Sequence, residues 1–329
     1  MLWVKFVLCA AALVFAGYQL SYHGNSIAEH TGLTKSLMGF FFLSVATSLP
    51  EFVTSGSAAG VARSADLALG DLFGTITINL MIIALLDLIE GHGALMFRVK
   101  KDHILCIALT SILLTITSFS LSFSRTASTL PQLLGLGVDS WLLMGIFLLG
   151  VRLVWRMESA AESPAATRRP LSRTHLSRTL AGFSLSFGAI VVLGIWLVAL
   201  ADEISTTMQW SESLVGTFLL GLITSLPELI VSVTALQFNV DMAIGNILGS
   251  NFFDMMILPL CDGLWGRQPI LAATSLSHLV PLLVAVIMNS ILIVGLMCRS
   301  RKSFLKMGWE IIAMAATFAA GSALLVIIR

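Results

Sequence analysis

Ser44-Val45-Ala46-Thr47-Ser48-Leu49-Pro50-Glu51 sets hydroxyls, a proline and a carboxylate inside an apolar run, and its last five residues return as Thr224-Ser225-Leu226-Pro227-Glu228. An ionisable side chain at the middle of a membrane helix costs roughly 2.5–3.5 kcal/mol on insertion scales. Two glutamates with identical neighbours at such positions call for a chemical reason, and binding a cation supplies one.

The rest of the chain reads as membrane protein. Of its 329 residues, 57% are hydrophobic and 11% charged, and the mean hydropathy is +0.94; a soluble domain carries about 25% charged residues. Apolar runs fall near 2–20, 34–61, 67–89, 104–123, 131–154, 180–201, 212–236, 242–262, 271–298 and 308–328. Each is near the about 20 residues that cross a bilayer, so the expected fold is an all-α polytopic membrane protein of ten transmembrane helices. Within the first run Lys5 precedes an apolar segment containing small residues, as in a secretory signal, but the run is long enough to span and lacks a clear cleavage context. Cys9, Cys106, Cys261 and Cys298 lie in or beside apolar runs without metal spacing and are expected to be packed thiols.

Charge placement orients the chain. With the amino terminus outside, 14 of the 19 Lys and Arg residues collect on inner loops, so both termini are expected outside and the central loop in the cytoplasm. That loop, 156–179, is a basic linker without apolar periodicity, suited to topology and to contact with anionic lipid. It separates a first five-helix unit, 1–155, from a second, 180–329.

The two units repeat one another. Asp66-Leu-Ala68-Leu-Gly70-Asp71-Leu-Phe-Gly74-Thr75-Ile-Thr-Ile-Asn79 aligns without a gap on Asp241-Met-Ala243-Ile-Gly245-Asn246-Ile-Leu-Gly249-Ser250-Asn251-Phe-Phe-Asp254. Motifs 44–51 and 66–79 therefore recur in order as 221–228 and 241–254. Five is odd, so the second unit enters the membrane with opposite polarity. Two inverted five-helix repeats follow, with a substrate site at the midplane where they meet. Asp66 and Asp241 precede apolar runs and are expected to be helix N-caps.

Side chains three and four apart share a helix face, which puts Thr47 and Ser48 beside Glu51, and Thr224 and Ser225 beside Glu228. Each proline removes an N–H and obstructs the carbonyl four residues earlier, freeing oxygens around Ala46 and Ile223. Such backbone is tolerated in a membrane where it is buried or lines a cavity. Thr75 with Asn79, and Ser250 with Asp254, repeat the four-residue spacing. The resulting donor set is all oxygen and includes three carboxylates, which suits hard cations, above all calcium, and also sodium. Zinc, copper or iron would recruit His or Cys, and none of the six histidines lies in either motif. Thr77 is expected to bond back to its own helix. Asp87, Asp139 and Glu310 fall near helix ends and read as interfacial. Trp141, Trp155, Trp196, Trp210, Trp265 and Trp309 fit interface belts.

At these residues the chain resembles the cation/calcium antiporter superfamily and, within it, the prokaryotic, minimal-loop sodium/calcium exchangers. That family pairs a Gly-Thr-Ser-Leu-Pro-Glu-like helix with a Gly-Asn-x-x-Gly-Ser-Asn-x-Phe-(Asn/Asp)-like helix in each of two inverted repeats. The resemblance implies that Glu51 and Glu228 are the central calcium and sodium ligands. It implies further that Thr47, Ser48, Thr224 and Ser225 supply hydroxyl or carbonyl oxygens, that Thr75 and Ser250 complete flanking sodium sites, and that Asn79 and Asp254 line the centre. A pair of sliding helices is expected to expose the site to either side. Asp71 replaces the family's first Asn, Ile76 its second, and Ala46 and Ile223 stand where Gly is usual. Asp71 matters most, as an extra carboxylate one turn before Thr75 that can bind a proton or shift ion preference.

The leading reading is an antiporter exchanging calcium for sodium, with no cofactor, no nucleic acid and no implied protein partner, resting in membrane lipid of a prokaryotic plasma membrane. Two glutamates neutralise one calcium or two sodium ions, and simultaneous filling is opposed by repulsion. The nearest alternative keeps the fold and exchanges calcium or another divalent ion for protons; magnesium fits less well because it resists dehydration. A carboxylate-ringed cation channel is a further class. An intramembrane protease is disfavoured, because Ala68 stands at the first glycine of the Gly-x-Gly-Asp pattern.

Overall fold

Inside a bilayer the backbone must satisfy its own hydrogen bonds, so long apolar runs become helices. The computed structural model describes residues 2–29, 38–90, 95–124, 132–160, 173–237, 239–298, 303–304 and 307–328. Among the described residues nine stretches are long and apolar enough to cross a membrane. The remaining expected span, 34–61, is helical from 38 to 62 in four pieces, Met38–Leu43, Ser44–Thr47, Leu49–Ser57 and Ala58–Ala62, with 34–37 outside the described residues. The protein is an all-α polytopic membrane protein.

In chain order the elements are α1 (Leu2–Glu29), α2 (38–62), α3 (Ala65–Glu90), α4 (His103–Phe123), α5 (Val138–Ala160), α6 (Arg173–Met208), α7 (Glu212–Leu236), α8 (Val240–Trp265), α9 (Leu279–Cys298) and α10 (Trp309–Ile327). α5 and α6 thus extend into both ends of the expected linker, and 161–172 lie outside the described residues. So do Lys35, Arg125, Arg168, Arg169, Arg299, Arg301, Lys302, Lys306 and Arg329 of the charge pattern.

α3 and α8 form the centre. Every residue of α3 from Leu67 to Leu80 is buried, as a helix apolar nearly all round requires. The broken helix α7 packs on α3, and the broken helix α2 packs on α8. Close approach depends on glycine. A Cβ on Gly74 of α3 would fall 2.7 Å from Thr217 Cα, and one on Gly249 of α8 would fall 2.9 Å from Ser44 Cβ. α1 and α6 pair with each other along the outside of α2 and α7.

The inverted repeat is written in twin hydrogen bonds. Ser64 Oγ accepts from Leu67 N at 3.0 Å to cap α3, and Asn239 Oδ1 accepts from Met242 N at 3.1 Å to cap α8. These two, and not Asp66 and Asp241, are the N-caps. A capping side chain must sit just before the first turn, whereas both aspartates lie inside it and reach sideways. Asp66 Oδ1 accepts from Ser275 N at 2.7 Å and meets His278 Nε2 at 3.1 Å. Asp241 Oδ1 accepts from Lys100 N at 2.8 Å and meets His103 Nε2 at 3.4 Å.

Later along the same helices Asp87 Oδ1 accepts from Leu95 N at 2.6 Å, and Asp262 Oδ1 from Ile270 N at 2.7 Å. Asp87 and Glu310 lie near helix ends, as expected, and are buried within the protein; Asp87 ties down the chain that follows α3. Antiparallel hairpins lead into α5 and α10, pairing Gln132–Leu133 with Leu136–Gly137, and Ser303–Phe304 with Met307–Gly308. Cys9, Cys106 and Cys261 are buried; Cys298, the last residue of α9, is exposed, contrary to the packed-thiol expectation.

Gly74→Ala is expected to lower the midpoint of thermal unfolding of the purified protein in detergent, since the new methyl meets backbone that cannot yield, at a cost of about 1–3 kcal/mol. Gly145→Ala, where a Cβ meets nothing within 4 Å, should leave the midpoint unchanged or raise it. Equal effects at the two positions would show that the glycine contact does not set the packing.

Candidate functional site

Two proline-broken helices build the site. In α2 the chain turns at Ser48 (φ −79°, ψ 2°) and a new helix starts with Pro50 in its first turn; α7 does the same at Ser225 (φ −76°, ψ −8°) with Pro227. Proline is accepted there because the first turn of a helix leaves its N–H groups unpaired anyway. Glu51 and Glu228 lie in these first turns, where the positive end of the helix dipole favours a carboxylate. Each break follows a π-helical segment, Met38–Leu43 and Val215–Leu220, at twin positions. Such wide turns recur at functional sites.

The second-motif helices cross these breaks. Thr47 Oγ1 of α2 shares a 3.1 Å hydrogen bond with Ser250 Oγ of α8, and Thr224 Oγ1 of α7 shares a 3.1 Å bond with Thr75 Oγ1 of α3. Each half thus contributes one hydroxyl to a pair completed by the other half. Asn79 Nδ2 donates to Asn251 Oδ1 at 2.9 Å, and Asn251 Nδ2 donates to the Ile76 carbonyl at 3.3 Å, joining α3 to α8. Ser225 Oγ is turned back onto the Gly221 carbonyl at 2.7 Å, and Thr77 Oγ1 onto that of Gly74 at 2.8 Å.

All ten residues expected at the site are buried: Glu51, Glu228, Asp254, Asn79, Thr47, Ser48, Thr224, Ser225, Thr75 and Ser250. The carboxylate oxygens of Glu51, Glu228 and Asp254, together with Asn79 Oδ1 and Ser48 Oγ, have no hydrogen-bond partner. Glu51 feels the charges of Glu228, Asp254 and Asp71. The hydroxyls of Ser48 and Thr47 lie near Asp254 and Glu228, respectively, short of full hydrogen-bond geometry. Among the described residues no group of three or more His, Cys, Asp or Glu side chains converges tightly enough to hold a metal ion by itself. The cluster is therefore acceptor-rich and electronegative, with neutral oxygens interleaved among its acids.

Sequence reasoning overlooked several partners. Thr54 and Ser55 donate to Asp71, Ser232 accepts from Asn246, and Asn251 bridges the halves. Ser55 and Ser232 fall at twin positions when the repeats are aligned, which is the signal that could have found them.

A sequence profile for the sodium/calcium exchanger protein family matches residues 1–156 and 178–327. The chain belongs to the sodium/calcium exchanger family. Inner membrane protein YrbG of Escherichia coli (strain K12) is 24% identical to this exchanger over 261 residues, covering 75% of this chain and 74% of YrbG. The solved sodium-calcium exchanger NCX_Mj, soaked with 10 mM Na+ and zero Ca2+, superposes with a TM-score of 0.62 at 22% identity over 98% of both chains. The same protein soaked with 2.5 mM Na+ and 0.1 mM Ca2+ gives 0.61 at 21% identity over 97% of both. At these identities the likeness is one of fold: this is a transmembrane antiporter of the exchanger family, built as two inverted repeats.

Glu51→Gln and Glu228→Gln each remove a buried charge that no donor satisfies. In buffer free of calcium and sodium, each variant of the exchanger is expected to unfold at a higher temperature than the unmodified protein, by about 1 kcal/mol or more of stabilisation. A lower midpoint in both variants would show that the carboxylates hold the fold together.

Proposed function

We propose that the protein exchanges calcium for sodium by alternating access at the centre between its two repeats. One observation carries this reading: the side-chain acceptor oxygens of Glu51, Asn79, Glu228 and Asp254, drawn from both halves, are buried without a hydrogen-bond partner. Acceptors without donors, in a medium where desolvation is costly, are satisfied by a cation. Hard, flexible all-oxygen surroundings favour calcium, which takes six to eight such ligands, over magnesium, which demands a small octahedron and keeps its water.

In this reading Glu51 and Glu228 are the central ligands. Asp254, Asn79 and Ser48 line the centre, Thr47 and Ser250 make one flanking site, and Thr75 and Thr224 make the other, with Ser225 adding a carbonyl or hydroxyl oxygen. Sodium ions filling these oxygens would neutralise the carboxylates and displace calcium, because both loads together repel. A carrier whose two faces favour different loads exchanges them. The name of NCX_Mj, a sodium-calcium exchanger, supports the same pair of ions.

The units 1–155 and 180–329 act as the two repeats, with 156–179 between them. The paired helices α1 and α6 are the elements that slide. Gly17 of α1 lies against Pro227, where a Cβ would come 2.7 Å from its Cγ, and Gly194 of α6 lies against Val53, 2.8 Å from its Cγ1. Both helices therefore touch the segments that carry the two glutamates. The protein sits in a prokaryotic plasma membrane with both termini outside and the central loop in the cytoplasm, as the distribution of Lys and Arg favours.

Calcium flux into proteoliposomes, with the voltage clamped by an ionophore, tests the proposal. An imposed sodium gradient is expected to drive calcium uptake, and E51Q or E228Q to reduce it by about a hundredfold or more, as loss of a central charged ligand implies. Uptake driven only by a proton gradient would reassign the coupling ion, uptake without any gradient would mark a channel, and full uptake in either variant would remove the glutamates from the site.

A further inference from the structure

The two halves differ in charge at one pair of twins beside the centre. Asp71 of α3 occupies the place that Asn246 occupies on α8, and both are fully buried. Asp71 Oδ2 accepts from Thr54 Oγ1 at 2.5 Å and Ser55 Oγ at 2.8 Å, while its Oδ1 accepts from Thr224 Oγ1 at 3.2 Å. Asn246 Nδ2 donates to Ser232 Oγ at 3.0 Å, and its Oδ1 accepts from Thr47 Oγ1 at 3.5 Å. The fold thus accepts a neutral amide against the twins of Ser55 and Thr224, while the twin of Thr54 is Val231, which has no hydroxyl. The negative charge of Asp71 is not required by packing, and among the described residues no Lys, Arg or His forms an ion pair with it.

That charge bears on Thr224. A hydroxyl has one proton to give, and Thr224 Oγ1 lies 3.2 Å from Asp71, 3.1 Å from the Leu220 carbonyl and 3.1 Å from Thr75 Oγ1. An ionised acceptor makes a hydrogen bond roughly twice as strong as a neutral one, so the proton turns to Asp71. The lone pairs of Thr224 then face Thr75 and the centre, as a cation ligand's must. On the twin side Thr47 is nearer the Ser44 carbonyl, at 3.2 Å, than the Asn246 amide. Asp71 also interacts electrostatically with Glu51 and Asp254, so its charge is felt beyond its own flank.

We propose that Asp71 determines ion preference: it positions the Thr224 hydroxyl as a ligand and gives the Thr75–Thr224 flank a negative charge that the Thr47–Ser250 flank lacks, so that this flank holds sodium more tightly. The inference rests on the exchange reading above and adds to it an asymmetry between the two flanking sites. The central load, already bracketed by Glu51 and Glu228, depends on Asp71 less.

The test uses the full chain in proteoliposomes and two readouts. One is the sodium concentration giving half-maximal sodium-driven calcium flux, and the other the calcium concentration giving half-maximal calcium–calcium exchange without sodium. D71N is expected to raise the first by about tenfold or more, the scale of one unit charge a few ångströms from the ion, and the second by less than about threefold. N246D should lower the sodium requirement, and it carries the test if D71N does not fold. An unchanged sodium requirement in a folded D71N, or equal shifts for the two ions, overturns the inference while leaving the exchanger reading in place. Absence of sodium-driven flux in the unmodified protein overturns both.

Discussion

Buried oxygen acceptors without donors are the constraint on which the rest of the structure depends. Glu51, Glu228 and Asp254 keep both carboxylate oxygens unpaired in the interior of a membrane protein. Unpaired buried polar groups are costly, and charged ones more so. Much of the surrounding architecture lowers that cost. The proline breaks present helix N-termini near both glutamates, and the stretches of α3 and α8 that carry Asn79 and Asp254 are largely buried among the other helices. In the exchange reading proposed above, a cation supplies what remains unsatisfied.

Inverted symmetry explains how one chain encloses such a centre. Each broken helix packs on the second-motif helix of the opposite half, through Gly74 against Thr217 and Gly249 against Ser44. The hydroxyl pairs Thr47–Ser250 and Thr75–Thr224 therefore join the halves to each other. The same correspondence runs to the helix ends, where Asp66 and Asp241 each tie the chain entering a later helix and meet a buried histidine. A centre held in this way is bounded by surfaces belonging to two similar bodies, the arrangement on which alternating access is built.

Much of this was legible in the sequence, because burying a glutamate is expensive and duplicating it with its neighbours is conspicuous. The spans, the repeat, the broken helices and the burial of the ten expected site residues all follow from that logic. Local capping rules failed at Asp66 and Asp241, since a residue inside the first turn is as free to bond sideways as to cap. The residues two positions earlier, Ser64 and Asn239, do the capping. The π-helical turns at Met38–Leu43 and Val215–Leu220 have no chemical signature, being set by how α2 and α7 fit against their neighbours. The contacts of Asn251, Thr54 and Ser55 depend on helix packing, which spacing along one helix does not encode. The burial of Asp87 and Glu310 within the protein was not legible, because position along a helix says nothing about which side the next chain segment covers.

The most direct measurement is equilibrium binding of radioactive calcium to the purified protein in detergent, repeated at increasing sodium. A saturable calcium site, emptied by sodium more steeply than in proportion to its concentration, is the result expected of a centre whose carboxylates take either one divalent ion or several monovalent ones. Calcium binding that does not saturate, or that sodium leaves unchanged, would contradict it.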